Sequence, residues 1–168
     1  MKGVIEVSSE KRQIKNWIQN GEYEQAQAQL KIALEMNEND GELFYLYASV
    51  CDPQGFEREA VPYYEKALEL GLEKSDEQGA YLGLGSTYRV LGQYQDSKRV
   101  FEQGIKKFPN YRPLHVFYAM TLYNVGETNQ ALEVLLTQLM ETTNDKDILL
   151  YQKAIAFYAP QLDEVWDQ

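Results

Sequence analysis

The sequence predicts an all-α protein built as an array of helix pairs. Three observations lead to this prediction. A frame of glycine, four residues and a small residue occurs four times, as GEYEQA, GFEREA, GQYQDS and GETNQA. Apolar residues at helical spacing fill the segments on both sides of each frame. The frame glycines recur at intervals of 34, 37 and 34 residues, at Gly21, Gly55, Gly92 and Gly126. A fixed period of this length is typical of stacked helical repeats.

Each frame glycine is predicted to end the first helix of a pair, since glycine is the preferred residue just past a helix C-terminus. The second helix then carries an apolar stripe, as in Ala26, Leu30 and Ala33. First helices are predicted around residues 43–50, 81–91 and 114–123. Asn39 or Asp40 is predicted to cap the helix over 43–50, and Ser75-Asp76-Glu77-Gln78 has the form of a capping box at a helix start. Pro53 and Pro109 are predicted to stop helices.

Two segments fall outside the regular period. The three extra residues of the longer interval are assigned to a loop over residues 71–78. A fifth helix is predicted over about residues 145–158, followed after Pro160 by a short tail.

The third copy carries a detailed pattern of residue types. Its members are Tyr81, Leu84, Gly85, Tyr88, Gly92, Tyr94, Ser97, Phe101, Gly104 and Pro109. They fall on the W-L-G-Y-G-Y-A-F-A-P positions of the tetratricopeptide repeat, and the chain therefore resembles that family.

The resemblance implies a right-handed α-solenoid of about four helix-turn-helix units with a C-terminal capping helix. The implied organisation is an extension (1–6), an atypical first unit (7–40), a second unit with a loop insertion (41–77), third and fourth units (78–111 and 112–145), and a capping helix with tail (146–168).

Composition limits the partners. The chain has 26 acidic and 16 basic residues and a net charge of -10, which repels phosphate backbones and anionic lipid. We therefore predict no nucleic-acid or membrane partner. Cys51 is the single cysteine, so no intramolecular disulfide can form. The N-terminus lacks an apolar run of signal-peptide length, and we predict a cytoplasmic protein.

The closely spaced Gly83 and Gly85 raise the question of a nucleotide site. A dinucleotide loop needs a third glycine and a preceding strand, whereas Tyr88 holds the third position and a helix start precedes. We predict that Gly85 allows close packing of paired helices, and we predict no cofactor. Gly83 lies at a concave position. Three explanations for its missing side chain stay open: room for a ligand, room for a bulky neighbouring side chain, or tolerance of glycine at this position.

Catalytic and metal chemistry have little support in the sequence. His115, the single histidine, holds a position that is usually aromatic in the repeat, which favours packing. Cys51 falls on the packed face, as do most of the tyrosines, including Tyr64, Tyr81, Tyr88 and Tyr94. No ligand-spaced cluster indicates a metal. We predict no catalytic residues and no metal site.

In the resembled family the first helices line a concave groove. The implied groove is basic at one end and apolar at the other. Chaperone-tail recognition is not supported, because among the matching clamp positions only Lys11 and Lys15 are cationic. The predicted partner-binding residues are Lys11, Arg12, Lys15, Tyr45, Leu46, Ser49, Leu82, Gly83, Arg89, Val116, Phe117, Met120 and Tyr123.

Three functions stay open at this point. The first is a non-catalytic adaptor or scaffold whose groove binds a peptide or another protein. The second is a self-assembling structural protein whose groove, or tail with Leu162, Val165 and Trp166, forms a homodimer interface. The third is an enzyme that uses His115 or Cys51. The tail folding back into the groove is a further alternative.

Overall fold

The computed structural model describes residues 2–166, with side chains from residue 9 onward. Met1, Asp167 and Gln168, the ends of the predicted extension and tail, lie outside the described residues. All regular elements in residues 2–166 are helical. They are α1 (Lys2–Gln19), α2 (Tyr23–Met36), α3 (Gly41–Cys51), α4 (Glu57–Leu70), α5 (Lys74–Val90), α6 (Tyr94–Lys107), α7 (Arg112–Asn124), α8 (Thr128–Thr142), α9 (Lys146–Leu149) and α10 (Gln152–Tyr158), with 3₁₀ turns at Asp52–Gln54 and Ala159–Gln161.

The four frame glycines form the turns between paired helices, as predicted. Each has a positive φ, between 76° and 86°, a conformation that glycine adopts without steric cost. The hydrogen bonds match a helix C-terminal motif: the amide of Gly92 donates to the carbonyl of Arg89, and that of Gln93 to Tyr88. The same pattern occurs at the other three turns. The repeated frame is therefore a repeated turn.

Consecutive helices pack against each other from α1 to α8, and each first helix also contacts the next first helix along the array. This arrangement of stacked helix pairs is an all-α solenoid, which confirms the predicted fold class. The first helices α1, α3, α5 and α7 thus lie side by side and line one surface of the array.

In the second, third and fourth units, close packing between paired helices depends on one small residue. A Cβ built on Gly85 would lie 2.6 Å from the ring of Phe101, which is fully buried. Ala48 and Ala119 hold the equivalent position and are buried too. The prediction that Gly85 serves packing is confirmed.

The buried residues form two clusters. The larger runs from Ile14 in α1 to Val100 in α6, and the smaller is built on Phe101, Leu114 and Leu122. Tyr81 packs against both clusters. Among the tyrosines assigned to the core, Tyr64 and Tyr88 are buried, but Tyr94 is partly exposed.

Two local predictions about the connection between α4 and α5 were wrong. The segment 71–78 is not a loop, because α5 begins at Lys74 and only three residues separate it from α4. The longer interval therefore lengthens α5 instead of a loop. Ser75 does not cap this helix: Glu73 is the N-cap and makes no side-chain capping bond. Asp40 does cap α3, since its carboxylate accepts from the amide of Leu43.

The helix predicted over 145–158 is broken at Tyr151 into α9 and α10. The second piece packs against α8. Ile155, Ala156 and Ala159 share a cavity with Leu136 and Met140 of α8. The array thus ends in a short helix docked on one side of α8.

Replacing Gly85 with alanine tests the packing constraint. We expect Gly85→Ala to destabilise the protein, because overpacking costs ~1–3 kcal/mol against ~1 kcal/mol of helix propensity gained. In a Phe101→Leu background the same change should stabilise, because leucine lacks the three ring atoms that meet the new methyl group. Urea unfolding of the four proteins gives the free energies. The same sign in both backgrounds would contradict the packing role.

Candidate interaction surface

The predicted basic end of the groove is a network of paired charges. The ammonium group of Lys11 lies 2.6 Å from Asp40 and 2.8 Å from Glu42. Lys15 lies 2.5 Å from Glu42 and 3.9 Å from Asp76. Both lysines are thus neutralised within the protein. Arg12 is exposed at the same end.

These ion pairs change the acidity of their members. Burial alone would raise the pKa of Glu42, but hydrogen bonds and charge from Lys11 and Lys15 outweigh it and lower that pKa. Burial disfavours the charged Lys11, yet Asp40 and Glu42 raise the pKa of Lys11. Both groups stay ionised at neutral pH, so the charges of Lys11 and Lys15 at the predicted basic end are balanced by carboxylates of the protein.

The middle of the concave surface is filled by two tyrosine rings. A Cβ on Gly79 would lie 2.2 Å from the hydroxyl oxygen of Tyr45, and a Cβ on Gly83 would lie 2.4 Å from the ring of Tyr64. A bulky neighbour therefore explains Gly83, and the space there is not open to a ligand. Leu46 is buried in the core.

Hydrogen bonds fix this filled region. The hydroxyl group of Tyr64 donates to Asp52 at 2.6 Å, and that of Thr87 donates to the same carboxylate at 3.0 Å. Burial raises the pKa of Asp52, and these two bonds oppose the shift without cancelling it. Ser49 donates to the carbonyl of Leu46. The polar groups here are thus engaged with the protein itself.

The C-terminal end of the surface is apolar and accessible. Met120 and Tyr123 expose 41% and 69% of their surface. Leu82, Val116 and Phe117 are partly buried. The structure packs Leu82 of α5 and Phe117 of α7 against one core cluster and leaves Met120 and Tyr123 open to solvent.

An apolar cavity of about 510 Å³ opens at this end. Leu132 and Leu135 of α8 help to line it, and the sequence reasoning missed both. Its residues are Arg89, Ala119, Met120, Tyr123, Asn124, Thr128, Ala131, Leu132 and Leu135.

Arg89 is the one charged residue among the described residues that line this cavity. One guanidinium nitrogen donates to the amide oxygen of Asn124 at 3.4 Å. Its Nε is buried and has no hydrogen-bond partner among the described residues. An unsatisfied guanidinium nitrogen in an apolar wall favours a carboxylate as partner.

A larger depression of about 770 Å³ lies near the other end, bordered by Lys15, Glu42 and Asp76. Apart from Glu73, its charges are those of the paired network described above, so it offers few unsatisfied groups to a ligand. The smaller apolar cavity is the better candidate.

His115 and Cys51, the two candidate catalytic residues, both have structural roles. His115 makes a 2.8 Å hydrogen bond from Nε2 to the carbonyl of Pro109. Cys51 is fully buried, and burial, with the charges of Glu59 and Asp52, raises the pKa of its thiol to about 12. A thiol of that pKa is protonated and unreactive at neutral pH. Within residues 9–166, no group of three or more histidine, cysteine or acidic side chains is placed to hold a metal.

Comparison with known proteins gives the family. A sequence model described as tetratrico peptide repeat matches residues 41–162. Because this match covers more than half of the chain, the protein belongs to the tetratricopeptide repeat family. Members of this family are generally non-catalytic interaction modules.

Solved structures with the same fold are YrrB, a tetratricopeptide repeat protein with an unusual peptide-binding site, and MamA. YrrB has a TM-score of 0.68 at 20% identity and matches 90% of this chain and 76% of its own. MamA has a TM-score of 0.68 at 14% identity, with 96% and 79% covered. A MamA RS-1 double mutant has a TM-score of 0.66 at 14% identity, with 94% and 96% covered.

Among curated proteins, superkiller protein 3 of Saccharomyces cerevisiae is 28% identical over 79 residues. That alignment covers 47% of this chain and 5% of the yeast protein. The likeness is thus one of a few repeats within a much longer chain. Separately, every helix in residues 2–166 is too short or too polar to cross a bilayer.

Labelling of Cys51 tests whether its thiol is inert. We expect a thiol reagent such as DTNB at pH 8 to react with native Cys51 far more slowly than with Cys51 in urea. The reasons are its burial and raised pKa. A Cys51→Ala/Ala154→Cys variant, with its thiol on an exposed position, should label rapidly without urea. Rapid labelling of native Cys51 would contradict the inert assignment and reopen the enzyme hypothesis.

Proposed function

We propose that this protein is a non-catalytic adaptor that binds an apolar segment of another protein at the C-terminal end of its concave surface. The observation that carries the proposal is the exposure of Met120 and Tyr123 beside an apolar cavity. Exposed apolar side chains that cluster around a concavity mark interaction sites. Packing of the helix pairs does not require them.

The character of the surface defines the segment. Leu82, Val116 and Phe117 offer aliphatic and aromatic contacts, so the segment needs at least two large apolar anchors. Because Lys11 and Lys15 are already paired, an acidic end of the ligand would gain little at the N-terminal end. Arg89 is instead the cation placed to orient a carboxylate. YrrB, with its peptide-binding site, supports a peptide as ligand for this fold.

The other parts of the proposal follow from charge and composition. A net charge of -10 opposes binding to nucleic acid or anionic membranes. A cytoplasmic location agrees with the single, buried cysteine.

A peptide-display selection against the wild-type protein tests the groove. We expect enriched peptides to carry aromatic or aliphatic anchors. Their Kd should weaken at least tenfold in Met120→Glu, because a carboxylate in an apolar site must be desolvated. The matched control is Ile32→Glu on α2, which also changes an exposed apolar residue and should leave the Kd unchanged. Enriched peptides that bind all three proteins equally would refute the groove.

The alternative function is self-assembly through the tail. The rings of Phe157, Tyr158 and Trp166 form a cluster with centroids 5.2 to 5.9 Å apart, and about half of each residue is exposed. Sedimentation equilibrium of the full chain distinguishes the two functions. A dimer that dissociates in Trp166→Ala would favour assembly through the tail. A monomer at all concentrations favours the adaptor.

A further inference from the structure

The last long helix of the array carries an uncovered apolar stripe. Leu132, Leu135 and Leu139 lie three and four residues apart, so they share one side of α8. Each exposes between 39% and 49% of its surface. We name these three residues the end face. Leu139 lies outside the cavity next to Met120, so the end face extends beyond the proposed groove.

The central position of this stripe, that of Leu135, is buried in every earlier unit. Leu30, Tyr64 and Phe101 hold the position of Leu135 in the first three units, since the spacings are 34, 37 and 34 residues. All three are at most 2% exposed, against 39% for Leu135. The exposure therefore arises because no further helix pair of the described residues packs on the fourth unit, and not from the place of Leu135 in the repeat.

In the third unit the central residue Phe101 lies against Gly85 of its own partner helix and shares a buried cluster with Leu114 and Tyr118 of α7. Further contacts join α7 to α6 around this residue. Leu114 approaches Gly104 of α6, the hydroxyl of Tyr118 bonds to Glu102 at 3.0 Å, and that of Thr121 lies 2.9 Å from Ser97. These residues of α7 are spaced i, i+4 and i+7, which places them on one helical face. A helix that covers this kind of stripe thus presents large residues at i and i+4 and a small or β-branched one at i+7.

The chain's own C-terminal helix does not provide this cover. α10 docks beside Leu136 and Met140 of α8. At about 100° per residue, these lie roughly a quarter turn around α8 from the end face. Leu132, Leu135 and Leu139 stay exposed with α10 in place.

The opposite end of the array is closed by polar residues. Ser9, Gln13 and Asn16 of α1 hold the positions of Leu114, Tyr118 and Thr121 and are exposed. Polar outer faces are what terminal repeats need for solubility. A second copy of this chain therefore cannot cover the end face with α1, because that face of α1 is not apolar.

From this asymmetry we propose that the end face binds an amphipathic α-helix of a partner protein, which docks as the first helix of a further unit. The partner helix carries apolar residues at i, i+4 and i+7. It also carries a carboxylate within reach of Arg89, whose Nε has no partner among the described residues and which lines the cavity next to Leu132 and Leu135. The inference rests on the proposed function in taking the protein as a binding module, and the two sites share the cavity residues Arg89, Leu132 and Leu135. Met120 belongs to the groove alone and Leu139 to the end face alone.

A designed peptide tests the end face. The probe is a fluorescein-labelled, alanine-rich helical peptide with leucine, leucine and valine at i, i+4 and i+7, in versions with glutamate or glutamine on the flanking turn. The control peptide has the same composition with its apolar residues dispersed around the helix. We expect saturable binding by fluorescence anisotropy for the patterned peptide and at least tenfold weaker binding for the dispersed one.

Variants locate the binding. Leu135→Glu and, independently, the more exposed Leu132→Glu should weaken the Kd at least tenfold, whereas Ile32→Glu should not. Circular dichroism first confirms equal helicity, and two variants guard against the failure of one to fold. Arg89→Gln should weaken binding of the glutamate peptide severalfold and leave the glutamine peptide unchanged. Equal binding of patterned and dispersed peptides, or no loss in either leucine variant, overturns the proposal.

Further outcomes separate the groove from the end face and test other occupants. If Met120→Glu abolishes binding of the selected groove peptides while the patterned helix still binds, both sites stand. If the groove peptides bind normally and the patterned helix does not, only the end face is refuted. A wild-type dimer that Leu139→Glu dissociates would show that a second copy covers the end face, and it would replace the partner helix.

Discussion

The second helix of each unit carries a large apolar residue that its own partner helix buries only in part. This residue becomes fully buried where the next unit also packs over it, as α7 does over Phe101. Neighbouring units therefore depend on each other, and the stability of the array is a sum of unit and interface terms. The ends of the array are the places where this constraint is not met internally. At the N-terminal end the outer residues of α1 are polar, whereas at the C-terminal end leucines of α8 stay exposed.

The concave surface consists of three parts that differ in their side chains. In its middle, the rings of Tyr45 and Tyr64 occupy the space over Gly79 and Gly83, so this region resembles core more than groove. Toward the N-terminus, lysines and carboxylates satisfy each other. Among the described residues of this surface, accessible apolar side chains are left at the C-terminal end, where α5, α7 and α8 meet. The candidate site is thus defined as much by what fills the rest of the surface as by its own residues.

The fold could be predicted from sequence because its determinants are local. A glycine that must adopt a positive φ, followed by a helical stripe, is visible within a few residues. The site could be predicted only in part, because accessibility depends on distant partners. Glu42 neutralises Lys11 from 31 positions away, and Tyr64 fills the space at Gly83. Neither pairing is visible in a local pattern. The sequence KSDEQ suits a helix start as well as a loop, so only the packing of α5 decides between them.

The division of the core into two clusters joined at Tyr81 determines how the array comes apart. The C-terminal cluster is the smaller, and α7 and α8 have a neighbouring unit on one side only. In a quasi-one-dimensional array, a unit with one interface opens at a lower free energy than a unit with two. Unfolding therefore begins at the ends of the array, and amides in α8 exchange with solvent before those in α4. Load applied at the C-terminus would peel units off one after another toward α1.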